Sequence, residues 1–387
     1  MIYLDNNAST RLDPEVGEAM AAAAEIFGNP SSLHAEGQRA RRAIEEARDS
    51  VAALIGAAPG EVVLTSGGTE SNAMALFGVM AERGGRVVVS AVEHPSVREA
   101  AARLAERGAE VVSVRPEPSG RIEPDRLLEA VVPGTRLVSV MTANNEYGAV
   151  FPIAAIAMGA RRRGALFHTD AVQAAGRLPI DVRASGVDLL SLSSHKMHGP
   201  KGAGALFIRR GVALEAHTPG GGQERRRRAG TENTPGAVGF GAAAGLASRR
   251  LGEAAGVARL RDRLERGILD RVPGTRVAGA GADRLPNTSA VLFDGASGET
   301  LLMRLDLEGV AVSAGSACSS GTLAPSPALL ALGLPPAEAR AVVRFSLSRE
   351  TTAVEITRVL EILPGVVADA RRAGVASAAP AGAGRIS

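Results

Sequence analysis

Apolar and polar positions alternate along the first two thirds of the chain in a way that predicts two kinds of element. Short apolar runs rich in β-branched residues predict buried strands. They fall at residues 87–89, 111–112, 137–140, 165–167, 189–191 and 205–208. Between them, segments such as 36–55 and 96–107 place apolar residues at helical spacing with charged residues on the other face. This succession predicts an α/β fold with a mainly parallel sheet and helices on both faces.

Beyond about residue 244 the pattern changes to a long helical stretch followed by shorter strand patterns. Residues 252–272 carry Arg, Glu and Leu at helical spacing, and strand patterns follow at 289–293 and 342–345. We expect a second, smaller α+β domain here, because the chain exceeds the size at which one core usually stops growing. The predicted divisions are a large domain over 14–248, a small domain over 1–13 and 249–372, and a disordered tail over 373–387.

The composition of the 387 residues is that of an ordinary soluble globular protein. Hydrophobic residues make up 45% and charged residues 22%, and no apolar run approaches the roughly 20 residues of a membrane span. The first residues, Met1 to Asp5, lack the basic region of a signal peptide, which favours a cytoplasmic location. The net charge is only +3, with acids spread among the arginines, so neither nucleic acid nor a membrane is indicated as a partner.

Two residue types are unusually rare. Lysine occurs only at positions 196 and 201, and cysteine only at position 318. Because a guanidinium cannot form a Schiff base, chemistry at an amine has only these two lysines as candidates. The lone Cys318 excludes an internal disulfide and a cysteine-cluster metal site.

Lys196 directly follows the predicted strand 189–192 and precedes a Gly-rich turn. Ligands of open α/β sheets collect at the carboxyl ends of the strands, so we expect its amine to face a cleft. The alternative is a solvated surface lysine, which most lysines are. Lys201, before Gly-Ala-Gly, is better explained as an exposed turn charge.

Polar side chains follow several other predicted strands. Asp170 closes the strand 165–170, and a carboxylate there can pair with a pyridinium nitrogen; the alternative is a helix cap. Gln173 alone is weak evidence. His94 follows a strand at 86–90 and can lie on an aromatic ring or shuttle protons, although a structural role is also open. Asn144 adds an amide after the strand 137–141. The convergence of these strand ends predicts one site.

A glycine-containing turn at residues 64–72 leads from a short strand into a helix. Gly68 and Thr69 lie where free backbone N–H groups and the hydroxyl can bind a phosphate. A plain capped helix start explains the same residues equally well.

Cys318 lies in Ser-Ala-Gly-Ser-Ala-Cys-Ser-Ser-Gly-Thr, a stretch without bulky apolar neighbours. Free cysteine is usually a small buried hydrophobe, but this composition favours an exposed loop and a nucleophilic thiol. Arg344, in an apolar strand pattern, can offer its planar fork to a carboxylate; the alternative is a charge at the sheet rim.

Several motifs in this order resemble those of the NifS/IscS-like cysteine desulfurases of the class V aminotransferase superfamily. They cover nearly the whole chain and include Tyr-Leu-Asp-Asn at 3–6, Gly-Asn-Pro-Ser-Ser-Leu-His at 28–34, Ser-Gly-Gly-Thr-Glu-Ser at 66–71, Ser-Ser-His-Lys at 193–196, Gly-Ser-Ala-Cys at 315–318 and Arg-Phe-Ser at 344–346. The resemblance implies the aspartate aminotransferase-like fold, fold type I, of transferases that depend on pyridoxal 5′-phosphate (PLP).

The resemblance also implies a role for each candidate residue. Lys196 would bind PLP covalently and act as the base, His94 would stack on its ring, and Asp170 would pair with its nitrogen. Gln173 and Asn144 would contact the ring hydroxyl, and Arg344 with Asn144 would hold the substrate carboxylate. The phosphate ligands would be Gly68, Thr69, Ser193, His195 and, from the second subunit of a homodimer, Thr231.

The implied reaction removes sulfur from L-cysteine, giving L-alanine and a persulfide on Cys318. No second cysteine could resolve it, so the sulfur would pass to another protein or a small thiol, in iron–sulfur cluster assembly or tRNA thiolation. The alternatives are a selenocysteine lyase, another class V aminotransferase-like enzyme, and a PLP-free sulfur carrier or scaffold.

Two features depart from the family pattern. Pro219 replaces the usual histidine before the triple glycine. The run Arg225 to Arg228 is denser than expected; solvated loop charges explain it best, and contact with an acidic partner or the neighbouring phosphate is the alternative.

Overall fold

The computed structural model describes residues 1–82, 84–314 and 324–378, with side chains described up to residue 373. The strands are β1 (Ile2–Tyr3), β2 (Val62–Thr65), β3 (Arg86–Ser90), β4 (Glu110–Val114), β5 (Thr135–Ser139), β6 (Leu166–Asp170), β7 (Leu189–Ser193), β8 (Gly204–Ile208), β9 (Thr275–Val277), β10 (Thr288–Phe293), β11 (Val310–Ala311), β12 (Ser313–Ala314) and β13 (Val342–Ser346).

Helices connect most of these strands. They are α1 (Pro14–Ala24), α2 (Ala35–Leu54), α3 (Gly68–Val79), α4 (Pro95–Glu106), α5 (Pro124–Glu129), α6 (Ile153–Arg162), α7 (Val182–Ser185), α8 (Thr234–Arg249), α9 (Ala254–Arg271), α10 (Gly298–Leu307), α11 (Pro327–Ala331), α12 (Pro336–Arg340) and α13 (Ala353–Ala378).

The larger sheet has seven strands in the order β2-β8-β7-β6-β5-β3-β4. Strands β7, β6, β5, β3 and β4 are parallel, and β8 runs antiparallel to both its neighbours. Successive side chains of a strand point to opposite faces, so Val88 packs in one core while Val87 and Val89 pack in another. The predicted α/β fold with a mainly parallel sheet and helices on both faces is confirmed.

A second sheet of four antiparallel strands, β12-β13-β10-β9, lies with α9, α10 and α13 around a core of its own. The N-terminal strand β1 pairs with β11, and Leu4 is buried in this second core. The first core also includes residues beyond 248, such as Ala290, Leu292 and Val342, and the domain boundaries after residues 13 and 248 stay a prediction.

The last helix extends further than the sequence suggested. Helix α13 continues to Ala378, so the segment 373–387, expected to be disordered, begins inside a helix. The physical reason is that Val367 and Ala370 still pack on the second core, and alanine is the strongest helix former. Residues 379–387 lie outside the described residues. No described helix is both long and apolar enough to cross a membrane.

Candidate active site

A cavity of about 670 Å³ opens where the carboxyl ends of β5, β6 and β7 meet the second sheet. The parallel register brings these strand ends to one edge, which is where an α/β sheet binds its ligands. Of the sequence-predicted residues, those lining the cavity are Gly68, Thr69, His94, Asp170, Gln173, Ser193, His195, Lys196 and Arg344.

Lys196 follows β7 at the end of a short helical turn, Ser194–Lys196. Its Nζ donates to the carbonyl oxygens of Asn7, at 2.5 Å, and Ala8, at 2.7 Å. Burial, together with the positive charges of Arg177 and Arg344, lowers the pKa of the amine to about 7. A large share of this amine is therefore uncharged at neutral pH and able to act as nucleophile or base.

Asp170, the last residue of β6, is buried at the floor of the cavity. Its Oδ1 accepts from Val172 N at 2.9 Å, and its Oδ2 accepts from Asn72 Nδ2 at 2.7 Å. A carboxylate fixed by two donors can pair with a cationic ring nitrogen without moving.

A chain of hydrogen bonds connects this carboxylate to His94. The same Asn72 Nδ2 also donates to Ser96 Oγ at 2.9 Å, and Ser96 Oγ lies 2.8 Å from His94 Nδ1. His94 caps α4 through Nδ1, which accepts from Ser96 N, so its Nε2 edge is left for the cavity. Burial lowers the pKa of His94, and the ring is therefore mainly neutral at pH 7.

The N-terminus of α3 forms the opposite end of the cavity. Gly67, in the left-handed region at φ 155°, begins the turn, and a Cβ at Gly68 would lie only 2.7 Å from Val172 Cγ2. Thr69, Ser193 and His195 line the cavity beside this helix end. Unpaired N–H groups and hydroxyls around a positive helix end suit a phosphate.

These groups together fit PLP. The cavity offers an uncharged amine, a fixed carboxylate, an imidazole and a helix N-terminus, which match the aldehyde, ring nitrogen, ring face and phosphate of that cofactor. Gly68 packs so closely against Val172 that a Cβ has no room at this helix end.

Asn144 was expected to contact cofactor and substrate, and the structure corrects this. Its side chain is 0% exposed and does not line the cavity. Its Nδ2 donates to Val92 O at 3.0 Å, while Oδ1 accepts from the N–H groups of Glu146 and Tyr147. Both ends of the amide are thus hydrogen-bonded to backbone groups. The neighbouring Asn145 lines the cavity instead.

Gln173 is held from two sides. Its Nε2 donates to Asn7 O at 2.9 Å, and its Oε1 accepts from Arg177 at 2.8 Å. Asn7 O therefore accepts from both Gln173 and Lys196. Burial lowers the pKa of Arg177 to about 10.

Arg344 lies in β13, on the side of the cavity formed by the second sheet. Its guanidinium donates to Asn145 O and to Asp5 Oδ1, each at 2.8 Å. Its Nε is buried without a hydrogen-bond partner among the described residues. Arg344 lines the cavity, and a planar guanidinium there suits a carboxylate ligand.

Besides Asn144, one further described residue of the predicted site does not line the cavity. Thr231 is exposed and does not line it within one chain. Cys318 lies outside the described residues.

The loop before Thr231 is anchored to the β2–α3 turn. Glu224 is buried and forms an ion pair with Arg48 at 2.6 and 2.8 Å, and it also accepts from Leu64 N. Residues 224–226 all have positive φ values without being glycine. Arg228 pairs with Glu70, in the first turn of α3, at 2.8 Å.

Sequence reasoning missed Asn72, Arg177 and Asn7 as site residues. Asn7 lies beside the Tyr-Leu-Asp-Asn motif, whose presence could have drawn attention to it. Asn72 carried the same signal, because it directly follows the Ser-Gly-Gly-Thr-Glu-Ser motif. Arg177 lies next to no such motif.

Comparison with known proteins gives consistent matches over nearly the whole chain. The family model for class-V aminotransferases matches residues 2–359. A cysteine desulfurase of Cereibacter sphaeroides is 50% identical over 371 residues, covering 95% of each chain. A solved NifS-like protein superposes with a TM-score of 0.89 at 34% identity, covering 95% of this chain and 99% of its own. A structure of SspA in complex with cysteine gives a TM-score of 0.81 at 34% identity, covering 91% and 100%.

Proposed function

The chain belongs to the class-V aminotransferase family, and from that membership we propose that it is a cysteine desulfurase that depends on PLP. It removes sulfur from L-cysteine and releases L-alanine. The observation that carries the assignment is the single cavity in which the buried amine of Lys196, the fixed carboxylate of Asp170 and the guanidinium of Arg344 meet. The relatives named above support the substrate.

Different residues of the cavity would bind different parts of PLP. Lys196 would hold PLP covalently, Asp170 its ring nitrogen, and His94 its ring face. Gly68, Thr69, Ser193 and His195 would bind the phosphate, and Gln173 the ring hydroxyl. When bound, the cofactor withdraws electrons from the Cα of the amino acid, which makes the Cα–H acidic.

The protein side chains then bind the substrate and move protons. Arg344 would bind the substrate carboxylate, and its Nε has no hydrogen-bond partner in the part of the chain that the structure describes. Lys196, uncharged to a large extent because its pKa is about 7, would take the Cα proton at Nζ. His94 would exchange a proton at its cavity-facing nitrogen. Asn145, which lines the cavity, would lie beside the substrate in place of Asn144.

Cys318 would accept the sulfur. Its thiol attacks the substrate sulfur, a new S–S bond forms and the C–S bond breaks, and a proton replaces sulfur on the carbon of alanine. The products are alanine and a persulfide, so no external oxidant is needed. Ala314 and Pro327, which precede and follow this part of the chain, line the cavity and support this role.

A homodimer and a sulfur acceptor belong to the same proposal. Thr231 would reach the phosphate of the partner subunit, which explains its absence from the cavity of its own chain. Mixing Lys196→Ala with Thr231→Ala subunits should then restore one complete site per mixed dimer. Mixed samples no more active than the single variants would contradict a shared site. The acceptor would be an iron–sulfur scaffold, another sulfur carrier or a small thiol, in the cytoplasm.

The test of the activity incubates purified protein with PLP, L-cysteine and a reductant and measures sulfide and alanine. We expect Lys196→Ala and Cys318→Ser to lose sulfide release, while Cys318→Ser keeps the yellow colour of bound cofactor. Lys201→Ala, at the only other lysine, is the matched control and should stay active. Wild-type protein that makes no alanine would refute the proposal. A preference for selenocysteine over cysteine would identify the protein as a selenocysteine lyase instead.

A further inference from the structure

The turn that carries His94, residues 91–94 between β3 and α4, is tied to the end of β5 by a buried glutamate. Glu93 is 3% exposed. Its Oε1 accepts from Ser90 Oγ at 2.5 Å and from Met141 N at 2.8 Å. Met141 itself lines the cavity. One carboxylate oxygen therefore connects the start of the turn to the strand end across from it.

Asn144 ties the same turn at a second point. Its Nδ2 donates, at 3.0 Å, to the carbonyl oxygen of Val92, the residue before Glu93. Its Oδ1 accepts from the next two N–H groups of its own loop, which fixes the direction of the amide. Two consecutive residues of the turn, Val92 and Glu93, are thus hydrogen-bonded to the segment 141–144 that follows β5.

A buried carboxylate at this position needs an explanation. Glutamate is almost never fully buried unless it is paired, and no cation contacts Glu93 among the described residues. Its Oε2 has no partner in the same part of the structure. Burial raises the pKa of Glu93 to about 8, with the negative charge of Asp170 adding to the effect. The carboxyl group is thus mostly neutral at pH 7. Its structural role is to accept the hydrogen bonds from Ser90 and Met141.

We propose that Glu93 and Asn144 are positioning residues that hold the His94 ring over the cavity by fixing the turn 91–94 to the end of β5. This inference rests on the proposed function, in which His94 contacts the cofactor. It also gives Asn144 a role other than the binding role expected from the sequence.

The first test is a double-mutant cycle on the holoenzyme with L-cysteine as substrate. Glu93→Ala should lower kcat by about ten- to a hundredfold, the loss typical of a displaced catalytic group. In a His94→Ala background the same change should lower kcat by less than about twofold, because there is no ring left to position. Glu93→Gln keeps an acceptor for Met141 N and should restore most of the activity.

Glu61→Ala is the matched control. Glu61 also bridges two backbone N–H groups, those of Ala58 at 3.0 Å and Arg210 at 2.9 Å, but at the opposite edge of the sheet. Its loss should leave kcat unchanged. If Glu93→Ala is harmless, or lowers kcat equally in both backgrounds, the proposal is overturned.

A second measurement is independent of turnover. In protein labelled with isotope-enriched histidine, the His94 resonance, assigned with His94→Ala, should shift in Glu93→Ala and Asn144→Ala and stay in place in Glu61→Ala. An unmoved resonance in the first two variants overturns the proposal. If wild-type protein makes no alanine, the proposed activity has failed, and this resonance alone still decides whether the turn is held as described.

Discussion

The reactivity of Lys196 can be predicted from its surroundings. Burial, with Arg177 and Arg344 adding to it, lowers the pKa of the amine from 10.5 to about 7. At pH 7 roughly half of such an amine is uncharged, compared with roughly one part in 3,000 of a lysine with the ordinary value. Intrinsic nucleophilicity falls with basicity, as it does for thiols with a slope of about 0.5, so the expected advantage is about 30-fold.

Competitive labelling of the apoprotein measures this advantage. A small aldehyde with a borohydride reductant, followed by mass spectrometry of the peptides, reports each lysine separately. The chain has only Lys196 and Lys201, and the exposed Lys201 supplies the reference within the same molecule. We expect labelling of Lys196 to exceed that of Lys201 at pH 7 and to rise with pH around a midpoint near 7.

A charge-removing substitution checks the cause. Arg177→Met removes a positive charge that disfavours the protonated amine, so the pKa of Lys196 should rise and the midpoint should move to higher pH. Arg162→Met removes the same charge from an exposed position and should leave the midpoint in place. A midpoint above about pH 9 in wild-type protein, or no movement in Arg177→Met, would refute the reasoning.

Three further changes test other parts of the site. Glu224→Ala leaves the buried guanidinium of Arg48 without its anion and should lower the free energy of unfolding by about 3–5 kcal/mol in urea titrations. Replacing both residues by leucine should cause a smaller loss of stability, because no unpaired charge stays buried. Gly68→Ala places a Cβ 2.7 Å from Val172 Cγ2 and should weaken PLP binding in fluorescence titrations, with Val172→Ala restoring it. Asn72→Ala removes the donor 2.7 Å from the carboxylate that ends β6 and should speed the release of PLP on dilution.

Each of these has a clear contrary result. A urea midpoint unchanged in Glu224→Ala would show that the ion pair contributes no stability. Failure of Val172→Ala to rescue Gly68→Ala would show that the steric contact is not the cause. Unchanged PLP release in Asn72→Ala would show that the carboxylate needs no amide partner.

The sequence predicted the large sheet well because its strands, apart from the partly exposed edge strand β4, are largely buried and appear in the sequence as apolar runs. An apolar run does not indicate whether its strand is parallel or antiparallel to its neighbours, so the antiparallel orientation of β8 could not be predicted. Strand ends also located Lys196, Asp170 and His94, which the structure brings to one cavity; their chemical roles stay predictions.

Other parts of the site depend on contacts that leave no local pattern. Asn144 and Asn145 are the same residue type in adjacent positions, and only the hydrogen bonds of the loop decide which one faces the cavity. The positive φ values at 224–226 occur at residues that disfavour them, so propensity points away from that conformation. They persist because the ion pair of Glu224 fixes the loop from outside.

The pairing of β1 with β11 has a consequence for biosynthesis. Every strand of the larger sheet lies between residues 62 and 208, so a nascent chain can complete that sheet early. The N-terminal segment must wait for Val310 and for Ser346, which bridges to Asp5. Because Asn7 and Ala8 supply the carbonyl groups around the amine of Lys196, the surroundings of this amine are complete only after the chain has been made as far as Ser346.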